Sequence, residues 1–350
     1  MSWSLRLRGF VACGLLLTAS GCGKADDDAQ RLRVETEMKR WLLHSVKDFA
    51  RAAEELQRAA PVSADRGWDA QLDAPAIAAM RESWFRGRSA YELVEGALAP
   101  IFPESDTATD FRYDDFLGVI GSGGDHQPFD AQGVIGMHAI ERILWAGAMP
   151  KDALEFEKAL PGYQPAAFPA SAEQAREFKH KLAARLVSDV RKLEADLAPL
   201  ELDIAFAFRG LVDLTAEQLE KVDRASTGRE ESRYALSTMR DLRANREGCL
   251  QAYGIFRPWL LAKGHAALDK KVQLAFERLK AAYDLVPGDS IPRPPEGWSG
   301  IEPKAEHAGT PFGKLFFQVR RETDDAQPDS LSASLLGVAD ALGLPKAVLQ

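Results

Sequence analysis

Residues 136–145 read Gly136-Met137-His138-Ala139-Ile140-Glu141-Arg142-Ile143-Leu144-Trp145. Met137, Ile140 and Leu144, joined by Ile143, recur at helical steps, so the stretch predicts an amphipathic helix with one buried face. His138 and Glu141 stand three residues apart, which sets an imidazole beside a carboxylate, about 60° apart around the helix axis. Such a pair can hold a metal ion. It can also be a helical histidine bonded to its neighbouring acid, since a chain with 52 acidic residues and six histidines contains this spacing by chance. The setting favours a site: Gly136 precedes the histidine, Leu144-Trp145 follow the acid, and carboxylates lie upstream at matching spacing.

Outward from this stretch the helical period dominates. From about Arg31 to Ala59, the positions Val34, Met38, Trp41-Leu42, Val46, Phe49, Ala53 and Leu56 predict a long core-facing helix. Asp73-Ala74-Pro75 reads as a cap followed by an early proline, opening a second helix to about Leu98, where Pro100 and Pro103 stop it. Glu92 and Glu95 share a face of that helix; alone, such a pair is most often a solvated edge. Glu104 to Gln132 is a long irregular stretch containing Asp110 and the run Gly121-Ser122-Gly123-Gly124, which lacks the lysine and hydroxyl of a phosphate cradle. His126 in that run reads as a surface residue.

Downstream, Gly147 and Pro150 end the His138 helix and residues 151–170 read as a crossover. A helix follows from Ser171 to about Leu197. Residues 198–227 read as a second connection with a short apolar piece, and a helical pattern runs from Arg229 to about Leu261, with interruptions expected near Gly254 and Pro258. His265 to Tyr283, Lys314 to Arg321 and Leu331 to Leu342 complete the helices, with a proline-rich strap through Pro287, Pro292, Pro294 and Pro295. His180 and His265 read as structural or surface residues. No alternating strand pattern stands out, so the expected class is all-α, with long helices joined by crossovers suggesting helical bundles whose sites project from facing helices.

Composition sets further bounds. The 350 residues carry a net charge of −8, with 46% hydrophobic and 27% charged residues, a profile of a folded globular chain. Arg6 and Arg8, an apolar run from Phe10 to Leu17, and Thr18-Ala19-Ser20-Gly21 before Cys22 read as a bacterial lipoprotein signal over residues 1–21, with Cys22 lipidated. The run is too short for the roughly 20 residues of a spanning helix. Residues 22–30 then read as a flexible tether, 31–150 as an N-terminal helical half carrying the metal motif, and 151–350 as a C-terminal half. Loss of residues 1–21 removes two arginines and no acids, so the net charge moves from −8 to −10. That charge disfavours nucleic acid as a partner. With Cys13 removed and Cys22 lipidated, Cys249 is left alone, which excludes an internal disulfide.

Tyr91-Glu92-x-x-Glu95, Asp110-x-Arg112, and Gly136-x-His138-x-x-Glu141 with Leu144-Trp145 together resemble the imelysin family, which includes imelysin-type peptidases and EfeO-like periplasmic proteins of iron uptake. Glu230-Glu231-Ser232-Arg233-Tyr234, followed by Asp241-Leu242-Arg243-Ala244-Asn245-x-x-Gly248, is similar to a later block of that family. The resemblance spans roughly Arg31 to Val286 and implies paired helical bundles of four-helix type. It implies a metal site of Glu92, Glu95, Asp110, His138 and Glu141, with Glu230 as a weaker contributor. Where EfeO-like members carry Ser-His-x-Asp, this chain has Ala235-Leu236-Ser237-Thr238, and no cupredoxin-like domain precedes the bundle, so the chain resembles the shorter members.

Carboxylate oxygens with one imidazole suit iron, manganese or zinc better than a thiolate-seeking ion, with copper(II) allowed by affinity order. The leading expectation is a periplasmic lipoprotein, anchored to a membrane by Cys22 and sorted to the outer membrane, that captures iron and passes it to a membrane uptake partner. Zinc or copper are alternative ions. A metallopeptidase is the first alternative function, although the sequence has no His-Glu-x-x-His. A helical binding protein with a vestigial metal site is the other.

Overall fold

Val34, Met38, Leu42, Val46, Phe49, Ala53 and Leu56 are all buried, and they form the seam of one helix, α1 (Ser20–Ala59), of 40 residues and about 60 Å. In the computed structural model, which describes residues 20–112, 127–161 and 163–345, this helix is the axis of the first bundle. The signal segment up to residue 19, the glycine run 121–124 and His126 lie outside the described residues. α1 continues through residues 22–30, the stretch read from sequence as a flexible tether. The helix is held there by Asp27, which accepts from the Trp259 indole at 2.9 Å and pairs with Lys263 at 2.7 Å. The Cys22 side chain lies outside the described residues.

Against α1 pack α2 (Ala74–Glu92) and, on another side, the helix of residues 172–197, which runs as α7 (Ala172–Glu177), a single π turn (Phe178–Leu182) and α8 (Ala183–Leu197). Asp73 does not cap α2 with its side chain; its carboxylate takes Arg66 at 2.6 and 3.0 Å and the Asp69 amide at 2.8 Å. α2 also stops earlier than its sequence predicts. It breaks at Leu93-Val94, and a single turn, α3 (Glu95–Leu98), follows before α4 (Pro103–Asp110). The His138 stretch forms α5 (Gly136–Leu144), with all nine residues buried, and it packs on α2 and α4. The supposed crossover contains α6 (Lys151–Lys158).

The largest departure from the sequence reading is α9 (Ile204–Arg224), a 21-residue helix in what reads as a connection. Its buried face includes Thr215, Gln218 and Lys221, and those polar residues interrupt the apolar stripe by which such a helix is recognised. Asp203 caps it, accepting from the Ala205 amide at 2.9 Å. α10 begins at Thr238 rather than near Arg229 and runs unbroken past Pro258 to Ala262. With α11 (Ala266–Asp284), α12 (Pro311–Thr323) and α13 (Leu331–Leu342), α9 and α10 make the second bundle. The strap ends at Trp298, whose ring packs edge-on against Phe312 and Phe316.

No strand occurs among the described residues, so the class is all-α. α8, which follows residue 150, lies on α1 in the first bundle. The bundles meet where α3 lies on α9 and α10 lies on α2. Two glycines permit this approach. A Cβ on Gly248 of α10 would sit 1.8 Å from the Leu93 carbonyl oxygen, and one on Gly210 of α9 would sit 1.6 Å from that of Gly96. The backbone break that separates Glu92 from Glu95 is thus pressed directly against the second bundle.

Candidate metal centre

The amphipathic pattern of α5 turns His138 and Glu141 inward at this junction, 1% and 0% exposed. The His138 Nδ1 lies 2.7 Å from Glu141 Oε2. The other oxygen of Glu141 accepts the backbone amides of Tyr234 at 2.9 Å and Ala235 at 2.8 Å. Glu141 is therefore fully used in fixing the imidazole, a role carboxylates often play behind a metal-ligating histidine. His138 Nε2 points the other way and makes no hydrogen bond, with Asp110 Oδ1 at 3.4 Å and Glu231 Oε1 at 3.9 Å.

Two overlapping sets of ligand atoms emerge: Asp110, His138 and Glu231, and Glu92, Glu95 and Asp110. Within each set the atoms lie within 4.8 Å of one another. Asp110 belongs to both. The residue that joins from the second half is Glu231, where the sequence reading placed Glu230. Glu230 is absent from both sets; its neighbours are Thr238, Arg233, Asp241 and Asp152. In the non-helical turn of residues 231–236 adjacent side chains diverge, and helical spacing offers no guide to which one faces α5.

Two buried cations, Arg88 and Lys221, pair with these acids, and the sequence reading gave neither a part in the site. Arg88, one turn before Glu92 on α2, pairs with Glu92 and Asp110, with Glu231 at 3.4 Å and with Asp241 at 3.7 Å. Lys221 of α9 lies 3.4 Å from Glu92 and 3.1 Å from Glu95. Asn245 of α10 donates to Glu92 Oε2 at 2.6 Å and Glu95 Oε2 at 2.8 Å, and its own oxygen accepts from Lys221 at 3.2 Å. The i, i+4 spacing of Arg88 and Glu92 was the available signal for the first; Lys221 had none without α9.

The electrostatics follow from burial. Removal from water raises Glu141 to about 8 and both Glu92 and Asp241 to about 7, while it pushes His138 well below its ordinary value, helped by Arg88. Burial acts on Glu231 in the same upward sense, but Lys221 and Arg88 outweigh it and hold this carboxyl down at about 2. The centre thus offers a neutral imidazole nitrogen beside an ionised carboxylate. Two small adjoining clefts, of about 230 and 250 Å³, reach it from the surface, and both are lined by Glu95, Asp110, Phe111 and Glu217.

These features define a helical two-bundle protein with a buried carboxylate and imidazole cluster at the bundle junction. The family profile described as Imelysin, filed among peptidases, matches residues 42–291, and the chain belongs to the imelysin family. An imelysin-like protein of known crystal structure from Psychrobacter arcticum 273-4 is similar in fold: the TM-score is 0.55 at 12% identity, covering 89% of this chain and 96% of that one. No functionally curated protein matches the sequence.

Proposed function

We propose that this protein captures a metal ion, with iron as the leading cargo, at Asp110, His138 and Glu231. The observation that carries this reading is the buried Nε2 of His138, without a hydrogen-bond partner and turned towards two carboxylates. An unpartnered buried nitrogen costs about 1–3 kcal/mol, and an ion bound there would recover it. Oxygen, oxygen and imidazole nitrogen form a hard to borderline donor set, suited to iron, manganese or zinc. Arg88 competes with the ion for Asp110 and Glu231, which moderates affinity and suits a carrier that must release its load. The acidic clefts favour cation approach.

Delivery is proposed to go to a membrane uptake partner, with the protein held in the periplasm by lipid on Cys22, in keeping with its leader sequence. Among the described residues no helix is long and apolar enough to cross a membrane. Peptidase chemistry has less support: the described cluster holds one histidine, and its best-placed carboxylate, Glu141, is engaged by two amides and the imidazole. Calorimetric titration of chelator-treated protein with ferrous iron, manganese and zinc tests the reading. Saturable binding lost in His138→Ala and Asp110→Asn supports it; identical heats in wild type and both variants would remove it.

A further inference from the structure

Glu92 and Glu95 come from opposite sides of the break between α2 and α3, yet their carboxylates converge on one point because α9 and α10 press against that break. The point is filled by the Lys221 ammonium, 3.3 and 3.1 Å from the two Glu95 oxygens and 3.4 Å from Glu92 Oε2. The lysine is 5% exposed and Glu92 is fully buried. The other Glu92 oxygen, Oε1, pairs with Arg88, and Glu92, Glu95 and Asp110 form a set spaced to share an ion. Asn245 holds both carboxylates in place, and Gln218 holds Asn245 at 3.2 Å while accepting from Tyr283 at 2.9 Å. The lysine position is therefore built as a cation site and occupied by a side chain.

We propose that Lys221 is the resident cation of the Glu92 and Glu95 half of the cluster. On this reading the chain takes one metal ion, at Asp110, His138 and Glu231, and removal of the ammonium opens a second divalent-cation site on the atoms it now holds, Glu92 Oε2 and the two Glu95 oxygens. The inference of a single ion rests on the function proposed above; the latent site does not. The charge argument is direct. Two buried carboxylates need a compensating cation, and a tethered ammonium supplies it without the entropy cost of capturing an ion from solution. It also shares its carboxylates poorly with a divalent ion, because like charges a few ångströms apart repel strongly where water is excluded.

The test counts ions. Wild type, Lys221→Met, and Lys221→Met combined with Glu95→Gln are stripped with chelator, equilibrated with manganese or zinc, separated from free ion and analysed for bound metal. Expected are one ion in wild type, two in Lys221→Met and one in the double variant. Thermal melting gives a second readout: metal-free Lys221→Met should melt below wild type, and saturating manganese should raise it by more than it raises wild type. A purely structural ion pair predicts the loss of stability without the extra ion or the extra rescue, and that result would overturn the inference. So would two ions in wild type. If wild type binds none while Lys221→Met binds one, lost again with Glu95→Gln, the Asp110, His138 and Glu231 reading fails and the latent site stands. If Lys221→Met does not fold, Lys221→Gln takes its place with the same expected counts.

Discussion

Gly248→Ala tests the physical basis of the junction. The added Cβ would lie 1.8 Å from the Leu93 carbonyl oxygen and 2.7 Å from its carbon, both backbone atoms that no rotamer change can move. An ordinary carbon–oxygen contact needs about 3.3 Å, so α10 and the break in α2 must separate by about 1.5 Å. Asn245, one turn earlier on α10, now donates to the Glu92 carbonyl at 2.9 Å and to the Glu92 and Glu95 carboxylates at 2.6 and 2.8 Å. The same separation takes all three beyond hydrogen-bonding range. Overpacking costs about 1–3 kcal/mol, and a buried bond to a charged group is worth about 1.5–3 kcal/mol. With relaxation shared between them, the expected loss is about 3 kcal/mol, read as a lower urea midpoint of chelator-treated protein. Gly254→Ala, on the same helix with nothing within 4 Å of its Cβ, is the control and should stabilise by about 0.5–1 kcal/mol through helix propensity. Equal midpoints for Gly248→Ala and wild type would refute the close-approach argument.

Other outcomes follow from the same geometry. Metal-free protein should lose stability as pH rises from 7 to 8.5. Glu141, raised by burial to about 8, contributes stability that is fully present below its unfolded value and lost as pH rises through the folded one, and Glu92 and Asp241, at about 7, act in the same direction. His138, depressed by burial, works oppositely, but only below its ordinary value of about 6.5, which leaves the upper window clean. Urea titrations at several pH values should show that slope, and Glu141→Gln should flatten it; an unchanged slope would contradict the burial argument. Metal affinity should change little from pH 7 to 6, because burial and Arg88 keep His138 neutral there while Lys221 and Arg88 keep Glu231 ionised, and calorimetry at both pH values measures it. Tyr234→Phe removes a 2.6 Å bond to Glu157, which is also held by Arg142 at 2.9 Å, and should cost about 1–2 kcal/mol while loosening the turn that anchors Glu141. Cys22→Ser should shift the protein from the membrane to the soluble fraction, and unaltered fractionation would dispose of the lipid anchor.

Two internal cations, Arg88 and Lys221, pair directly with the acids of the centre. Six acids, Glu92, Glu95, Asp110, Glu141, Glu231 and Asp241, lie at or next to the junction, and Arg88 and Lys221 together touch five of them. Glu141 is the exception, satisfied by two amides and His138. Breaking such a network from either side leaves an uncompensated buried charge, so Arg88→Ala and Lys221→Met should both destabilise the metal-free protein more than exposed arginine substitutions such as Arg185→Ala.

The sequence by itself determined the helical class, the long seam of α1, the inward face of α5 and the pairing of His138 with Glu141, because these rest on periodicities of three and four residues that a single helix expresses alone. It did not reveal that α2 breaks between Glu92 and Glu95, since Leu93 and Val94 carry no glycine or proline to mark the interruption. Nor did it reveal α9, whose buried face is polar where it meets the cluster, or the choice of Glu231 over Glu230 in a turn without a repeating period. Those three were decided in the tertiary structure, where carboxylates more than 100 residues from Lys221 in the chain become its neighbours only after two glycines let the bundles close. A charge pair formed across such a distance leaves no local pattern, because its energy arises from water excluded by the packing of both bundles.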